Sequence, residues 1–380
     1  MAEIQNVLSL WDQCEKAGEQ AVLATVVKTQ GSSYRVPGAR MVITRNGVRA
    51  GSVSGGCLED DLVKRAWWLT ESGPMIRRYD TTPDGEIAAE YGLGCNGIIH
   101  VLLERIAPGN LVMNLVREAR SSRSPATIAH LVAPKETVGS RLVIGVAGNI
   151  VGHTLENPQL AAQLRMAAET ARADRESFLW SEDGREAFVE TLAPAIRLLI
   201  FGAGDDAVTL ANLAKHLGWE VAVYDGRAHY ARPDRFPMAD SVAVRHPGMM
   251  SKLSLDSWTA AVTMSHSYSQ DLQVLTELSA TSVLPYIGVL GPRKRTEQMF
   301  EEAGLMTFGQ CAALHSPMGL DIGAEGPDQV ALAVVSEIQA VMNKRRGGPL
   351  SERHGSIHAR EEDESPLSDR KAPVLSGVCA

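Results

Sequence analysis

Aromatic residues are scarce in this chain, 5% of 380 positions, and cysteine is scarcer still, with 5. The cysteines are odd in number and widely spaced, with no Cys-x-x-Cys pair. That excludes a disulfide framework and fits free thiols in a reducing cytoplasm. Positive charge is also short: 37 Lys and Arg stand against 45 Asp and Glu, a formal net charge of -8. Without a basic stripe or interleaved aromatics, neither nucleic acid nor an anionic membrane surface is an expected partner. No apolar run reaches the length of a membrane span. The opening MAEIQNVLSLWDQCEKAGEQ has early acids and no apolar core of the kind a signal peptide needs. No internal repeat is evident.

What is present is ordinary for a soluble protein with full cores: 44% hydrophobic and 22% charged residues. The length argues for two domains. Ile4, Val7, Leu8 and Trp11 share a helical face that Cys14 continues, so burial is the role expected of that thiol. Strands are predicted at AVLATVVKT, around an Asn46-Gly47 hairpin turn, and at MIRRYD, GIIHVLLERI, ATIAHLV, RLVIGVAG and AFVETL. CLEDDLVKRAWWLTESG reads as a helix. From Arg197 onward strand and helix alternate, and the strands are nearly all apolar, as in a parallel sheet covered on both faces. The fold class expected is therefore α/β: an N-terminal mixed α/β domain over residues 1–195, then a Rossmann-like doubly wound parallel-sheet domain over 196–345. Residues 346–380 are too polar to fold alone and read as a disordered tail.

LLIFGAGDDAVTLANLAKHLGWEVAVYD carries Gly202, Gly204 and Ala207 in the G-x-G-x-x-A form between a strand and a helix, with Asp225 ending the next strand. This is the setting of a dinucleotide site: glycines for the turn and the phosphate approach, an acid for ribose hydroxyls. NAD(P) is the ligand such a site takes. Asp205 and Asp206 oppose it, because carboxylates at a helix N-terminus repel an incoming phosphate. A bare βαβ unit without ligand remains the competing reading.

The second signal is a pair of glycine-framed thiols. In GSVSGGCLED, Gly55 and Gly56 open backbone angles closed to other residues and leave N–H groups for a ligand, and Cys57 is expected in the first helical turn, where the dipole favours thiolate. Glu59, Asp60 and Asp61 oppose that effect. Cys95 in GLGCNG repeats the theme. Converging turns would offer N–H donors to an anion and soft sulfur ligands to a metal, so Cys57 and Cys95 are the candidate metal ligands. The alternative is two small buried residues in tight corners. A third group follows predicted strands: His266 in MSHSYSQD, Arg293 in VLGPRKR, and His315 and Asp321 in LHSPMGLDIGA. Ligands of open parallel sheets gather at such strand ends.

Taken together, GSSYRVPGARMVI, GSVSGGCLE, GLGCNG, LLIFGAGDDA, VYDGR, SHSYSQD, GVLGPRKR and LHSPMGLDIGA resemble the XdhC/CoxI family of xanthine dehydrogenase accessory factors, nearly to residue 345. The resemblance implies a non-catalytic chaperone. It would bind the molybdenum cofactor (molybdopterin), protect it while a cysteine desulfurase adds the terminal sulfur, and deliver it to an apo molybdenum hydroxylase such as xanthine dehydrogenase. It makes Cys57 and Cys95 the leading cofactor-site residues, and Arg35, within the first motif, joins them. The chain departs from the family pattern at Asp205, where histidine is frequent, and at Asn96, where a second glycine is common. The cofactor is expected between the two domains, and a homodimer is a reasonable expectation for the assembly. The rival readings are an NAD(P)-dependent oxidoreductase and a pure interaction scaffold.

Overall fold

Strand β1 (Ala21–Gly31) is buried from Ala21 to Val27. Successive strand side chains point to opposite faces, so both faces of its sheet must be covered. Val22, Ala24 and Val26 pack under helix α2 (Glu59–Leu69), with Leu58, Leu62 and Ala66. Ala21 and Leu23 pack on helix α1 (Ala2–Ala17), where Val7, Leu8, Trp11 and Cys14 form the buried face. The computed structural model describes residues 2–82, 96–246, 248, 252–279, 281–305 and 313–352. The expected tail beyond residue 352 and Cys95 lie outside the described residues.

β1 is central to a five-stranded antiparallel sheet with β2 (Arg40–Thr44), β3 (Arg49–Gly51), β4 (Met75–Asp80) and β5 (Gly97–Ile106), in the order β3-β2-β1-β5-β4. Helix α3 (Leu111–Ser122), capped by Asn110, leads into a second five-stranded antiparallel sheet. Its elements are β6 (Ala126–Ala133), β7 (Arg141–Ile144), β8 (Ile150–His153), helix α4 (Pro158–Asp174), β9 (Phe178–Glu182) and β10 (Arg185–Leu192). The order, β8-β7-β6-β10-β9, is that of the first sheet.

The absence of an internal repeat is thus corrected by the structure: helix, three strands, helix and two strands occur twice with one topology. The register agrees as well. Leu23 faces Val42 and Glu104 in the first sheet, and Ile128 faces Val143 and Glu190 in the second. The inner layer takes the same positions from each half: Ala21, Leu23, Val42 and Ile106 against Ala126, Ile128, Val143 and Leu192. The repeat escapes sequence inspection because apolar identity is interchangeable at matched volume.

Among the ion pairs that cross the seam, two occupy matching positions. Arg40 opens β2 and pairs with Glu190 of β10; Arg141 opens β7 and pairs with Glu104 of β5. Each arginine also donates to a carbonyl two residues back, Gly38 or Gly139. Each half lends its arginine to the other half's glutamate, the reciprocity of a twofold interface. His130 lies fully buried beside them, 4.0 Å from Glu190, and burial, with Arg141 and Arg40 nearby, pushes its pKa well below the usual 6.5.

The last unit is a six-stranded parallel sheet in the order β13-β12-β11-β14-β15-β16, doubly wound as expected. Its strands are β11 (Arg197–Phe201), β12 (Glu220–Asp225), β13 (Ser241–Val244), β14 (Thr259–Thr263), β15 (Tyr286–Val289) and β16 (Leu314–His315), with helices α5 (Asp205–His216), α6 (Tyr268–Ser279), α7 (Arg293–Glu302) and α8 (Pro327–Met342). It meets the N-terminal unit at the amino ends of its strands. Arg123, at the end of α3, bonds Asp256 at 2.8 Å, Ala195 O at 2.7 Å and Glu220 at 3.2 Å, and Arg175 lies over Trp258.

Breaking one seam pair strands a buried charge, so Arg141→Leu should cost about 3–5 kcal/mol. The double variant Arg141→Leu/Glu104→Leu should recover most of that loss. Urea denaturation of the wild type, the two single variants and the double variant measures the coupling.

Candidate cofactor site

The segment between β3 and α2 is organised by one carboxylate. Glu59, fully buried, accepts at Oε1 from Ser52 Oγ (2.6 Å), Val53 N (2.9 Å) and Ser54 N (2.9 Å). Its Oε2 accepts from Ser54 Oγ (2.5 Å), Gly56 N (2.9 Å) and Leu58 N (3.1 Å). Burial alone would raise its pKa, but the serine hydroxyls and backbone donors win and hold it at about 2. Glu59 therefore stays ionised, and its bonds close the loop that carries Cys57.

Two expectations change with this. The Gly56 N–H serves Glu59, and the Gly55 N–H donates to Ser52 Oγ at 2.8 Å, so neither glycine keeps a backbone donor for an anion. Cys57 does not sit in the first helical turn either. Leu58 is the N-cap of α2 and Cys57 precedes it, outside the helix and exposed. The thiol is presented on a loop held by hydrogen bonds, one residue before the N-cap.

Loop 32–39 reaches both glycine-framed segments. Gly55 has φ +90°, and a Cβ there would stand 2.6 Å from the ring of Tyr34; only glycine accepts both the angle and the contact. At the other end Ser32 N donates to Asn96 O at 3.3 Å, and a Cβ on Gly31 would stand 2.8 Å from the same oxygen. Asn96 is the residue after Cys95 and has φ 52°. Cys95 itself lies outside the described residues. Arg35 donates from Nη2 to Glu3 at 2.7 Å. No cluster of metal-binding His, Cys, Asp or Glu side chains occurs among the described residues.

The Rossmann turn is built as expected but internally occupied. Gly202 has φ +125°, and a Cβ would lie 2.5 Å from the Met264 and Ser265 backbone: the neighbouring strand end, not a phosphate, demands the glycine. Above Gly204, Asp206 Oδ2 pairs with His266 Nε2 at 2.9 Å, and His266 is held at φ 56°. Asp205 is exposed and pairs with Arg235. Asp225 is buried and accepts from Ala203 N (2.9 Å), Arg227 N (2.9 Å) and the Arg227 guanidinium (2.9 and 2.8 Å). Burial would raise its pKa, yet Arg227 and these N–H donors keep it below the usual carboxylate range. The acid expected to bind ribose is spent on the protein's own arginine.

The remaining candidates have partners or surroundings of their own. His315 donates or accepts at Nδ1 with Glu337 Oε1 (3.1 Å) and stacks on Tyr286; Glu337 also accepts from Tyr286 Oη (2.6 Å) and Gly319 N (2.7 Å). Arg293 is exposed and pairs along its own helix with Glu297, and Asp321 is exposed in the loop before α8. Arg295 reaches the strand ends, as Arg227 does: it bonds buried Asp271 at 2.7 Å, and Asp271 also accepts from Ser265 Oγ at 2.6 Å. Sequence reading missed Asp271, Arg295 and Glu337. A buried acid in a helical first turn, as in SYSQD, is the signal that locates Asp271. The crevice lies at the carboxyl ends of the strands and the domain contact at the amino ends, so one chain does not place the thiol loop against this crevice through that contact.

Glu59→Gln places an amide NH2 against N–H donors and should cost about 3 kcal/mol. In the wild type, a folded pKa of about 2 against the ordinary 4.5 means this stability is complete above pH 4.5 and is lost as pH falls from 4.5 towards 2. Denaturation midpoints across that window should slope in the wild type and flatten in Glu59→Gln. In native protein Cys57 should alkylate while Cys14 stays protected, because Cys14 is buried and burial pushes its thiol pKa up. Peptide mapping reads both.

Comparison with known proteins follows the two sequence signals. Residues 14–80 match the XdhC and CoxI family, and residues 198–338 match the XdhC Rossmann domain. A Bacillus subtilis (strain 168) protein described as a probable xanthine dehydrogenase subunit is 33% identical over 336 residues, 88% of this chain and 96% of that one. The Escherichia coli (strain K12) molybdenum cofactor insertion chaperone PaoD is 24% identical over 331 residues, 86% of this chain and 84% of that one. A crystal structure from Bacillus halodurans, described as a xanthine dehydrogenase, superposes with a TM-score of 0.73 at 27% identity, covering 91% of this chain and 99% of that one. The first segment contains the Cys57 loop and the second the Rossmann turn, and the chain belongs to the XdhC and CoxI family.

Proposed function

We propose that this chain is a maturation chaperone that carries the molybdenum cofactor to an apo molybdenum hydroxylase of the xanthine dehydrogenase type. The observation that carries the reading is the loop holding Tyr34 and Arg35, which touches Gly55 beside Cys57 at one end and Asn96 beside Cys95 at the other. An exposed thiolate is a soft ligand suited to a molybdenum centre. The Glu59 ring of hydrogen bonds holds the loop without offering a competing ligand. The cofactor is cargo: it arrives, is shielded from oxidation while a cysteine desulfurase supplies the terminal sulfur, and leaves. Rigid presentation of Cys57 suits that task, since a preformed loop costs little ordering on binding.

A nicotinamide-dependent oxidoreductase is the poorer reading. Asp225 is committed to Arg227, and the Asp206–His266 pair stands over Gly204. Titration with NAD(H) and NADP(H) should give no saturable binding, and tight binding abolished by Gly204→Val would reverse that ranking.

Anaerobic purification with cofactor-producing cells should yield molybdenum and pterin with the wild type. Cys57→Ser should lower the molybdenum content at least about tenfold with the fold intact, because the residue is an exposed loop side chain. Wild-type protein that never carries cofactor, or Cys57→Ser protein loaded to the same level, would sink the reading.

A further inference from the structure

Tyr34 is 72% exposed, yet its ring does not hang free. A Cβ added to Gly55 would stand 2.6 Å from Cδ1, 2.8 Å from Cε1 and 3.3 Å from Cγ of that ring. Two short distances and a third only slightly longer place that Cβ over the face of the ring. Beyond the rim, in the plane of the ring, Cγ would lie much farther away. One face of Tyr34 therefore rests on the Gly55 backbone, and the exposure belongs to the other.

The main chain is tied on both sides of the ring. Ser33 is buried and donates from Oγ across Tyr34 to Arg35 O at 2.8 Å. Ser32 N donates to Asn96 O, and Arg35 is held by Glu3. A single exposed apolar side chain is ordinary. A ring laid flat on a glycine whose φ of +90° and close contact admit no other residue is not. Packing does not require it. Counting back from Arg40 and Arg141, the second half has Lys135 where the first has Tyr34, and its 154–157 connection has neither glycine nor cysteine. The ring is present in the half that carries the thiol loop. Cys57 is exposed two residues past Gly55, at most about 7 Å along the chain.

We infer that Tyr34 is a stacking platform: the pyrimidinone ring of the cargo's pterin lies on its open face, with the metal end towards Cys57. The inference rests on the proposed cargo and names the residue that grips its organic end. Flat rings stack in offset geometry on an aromatic face, and a ring already held in place loses little freedom when the ligand arrives. A thiol by itself accepts any soft metal. A platform at fixed reach from the thiol selects a metal that is carried on a flat heterocycle.

The test uses full-length protein and metal-free molybdopterin, titrated under anaerobic reducing conditions and followed by pterin fluorescence. The wild type should bind saturably. Tyr34→Ala should weaken binding about fivefold to a hundredfold, the range for loss of one stacked ring, at unchanged melting temperature because the side chain is exposed. Tyr34→Phe and Tyr34→Trp keep a ring face and should keep the affinity. Cys57→Ser should leave it unmoved, since the probe has no metal. Trp68, 71% exposed near the far end of α2, is the control, and Trp68→Ala should change nothing. Absence of saturable binding overturns the assignment, as does Tyr34→Ala binding as tightly as the wild type. Tyr34→Phe as weak as Tyr34→Ala, or an equal loss from Trp68→Ala, overturns it too, because the open ring face would then not be the cause. The probe has no metal, so the platform can fail while Cys57 still holds molybdenum, and the Cys57 experiment can fail while the platform stands.

Discussion

The exchange of arginines across the N-terminal seam is the constraint on which the rest depends. Arg40 and Arg141 each leave their own sheet to meet a buried glutamate of the other. A buried guanidinium without its carboxylate costs several kcal/mol, so the two sheets have one workable registration. That registration stacks Leu23 and Val42 against the layer that holds Ile128 and Val143. It also sets the position of Glu190 beside Gly38, where a Cβ would come within 3.0 Å of the carboxylate. The loop that ends there is the one that carries Arg35 and Tyr34.

The repeat forms the scaffold, and the two halves differ at the candidate site. At the positions matching Tyr34 and Arg35 the second half has Lys135 and Glu136, in a short 3-10 turn. The connection from β3 to α2 spans residues 52–58 and carries the thiol; the matching connection from β8 to α4 spans 154–157 and carries neither glycine nor cysteine. The link from β4 to β5 spans 81–96, whereas β9 and β10 are joined by Asp183 and Gly184 alone. Both enlarged connections therefore belong to the first half, and loop 32–39 of that same half touches the ends of each. The second half keeps the sheet, the outer helix and the seam charges, which are what packing requires.

Much of this was legible in the sequence, for identifiable reasons. The Rossmann-like sheet was readable because strand and helix periods alternate and its strands are apolar throughout. The helical face ending in Cys14 was readable from spacing, and that thiol is buried. The repeat was not readable, because what recurs is register: RMVI and RLVI are visible, but Glu104 and Glu190 match only once the strands are paired. Glu59 was misjudged for a related reason. Its charge next to a thiol is plain in one dimension, while the donors that its carboxylate binds come from a loop that folds back over residues 52–58.

The glycine fingerprint shows most clearly how one pattern serves two ends. Gly202 is required whether or not a phosphate binds, because the Met264–Ser265 backbone lies where its Cβ would be. A dinucleotide needs an open helix N-terminus and an unpaired acid, and Asp205 and Asp206 already oppose it in the sequence. Here Asp206 and His266 close over the turn, Arg235 holds Asp205, and Arg227, two residues past Asp225, turns back to satisfy it. A helix end already facing carboxylates has little field left for a phosphate. Packing against the neighbouring strand end is reason enough for Gly202, and the charges around the turn are matched from within the chain.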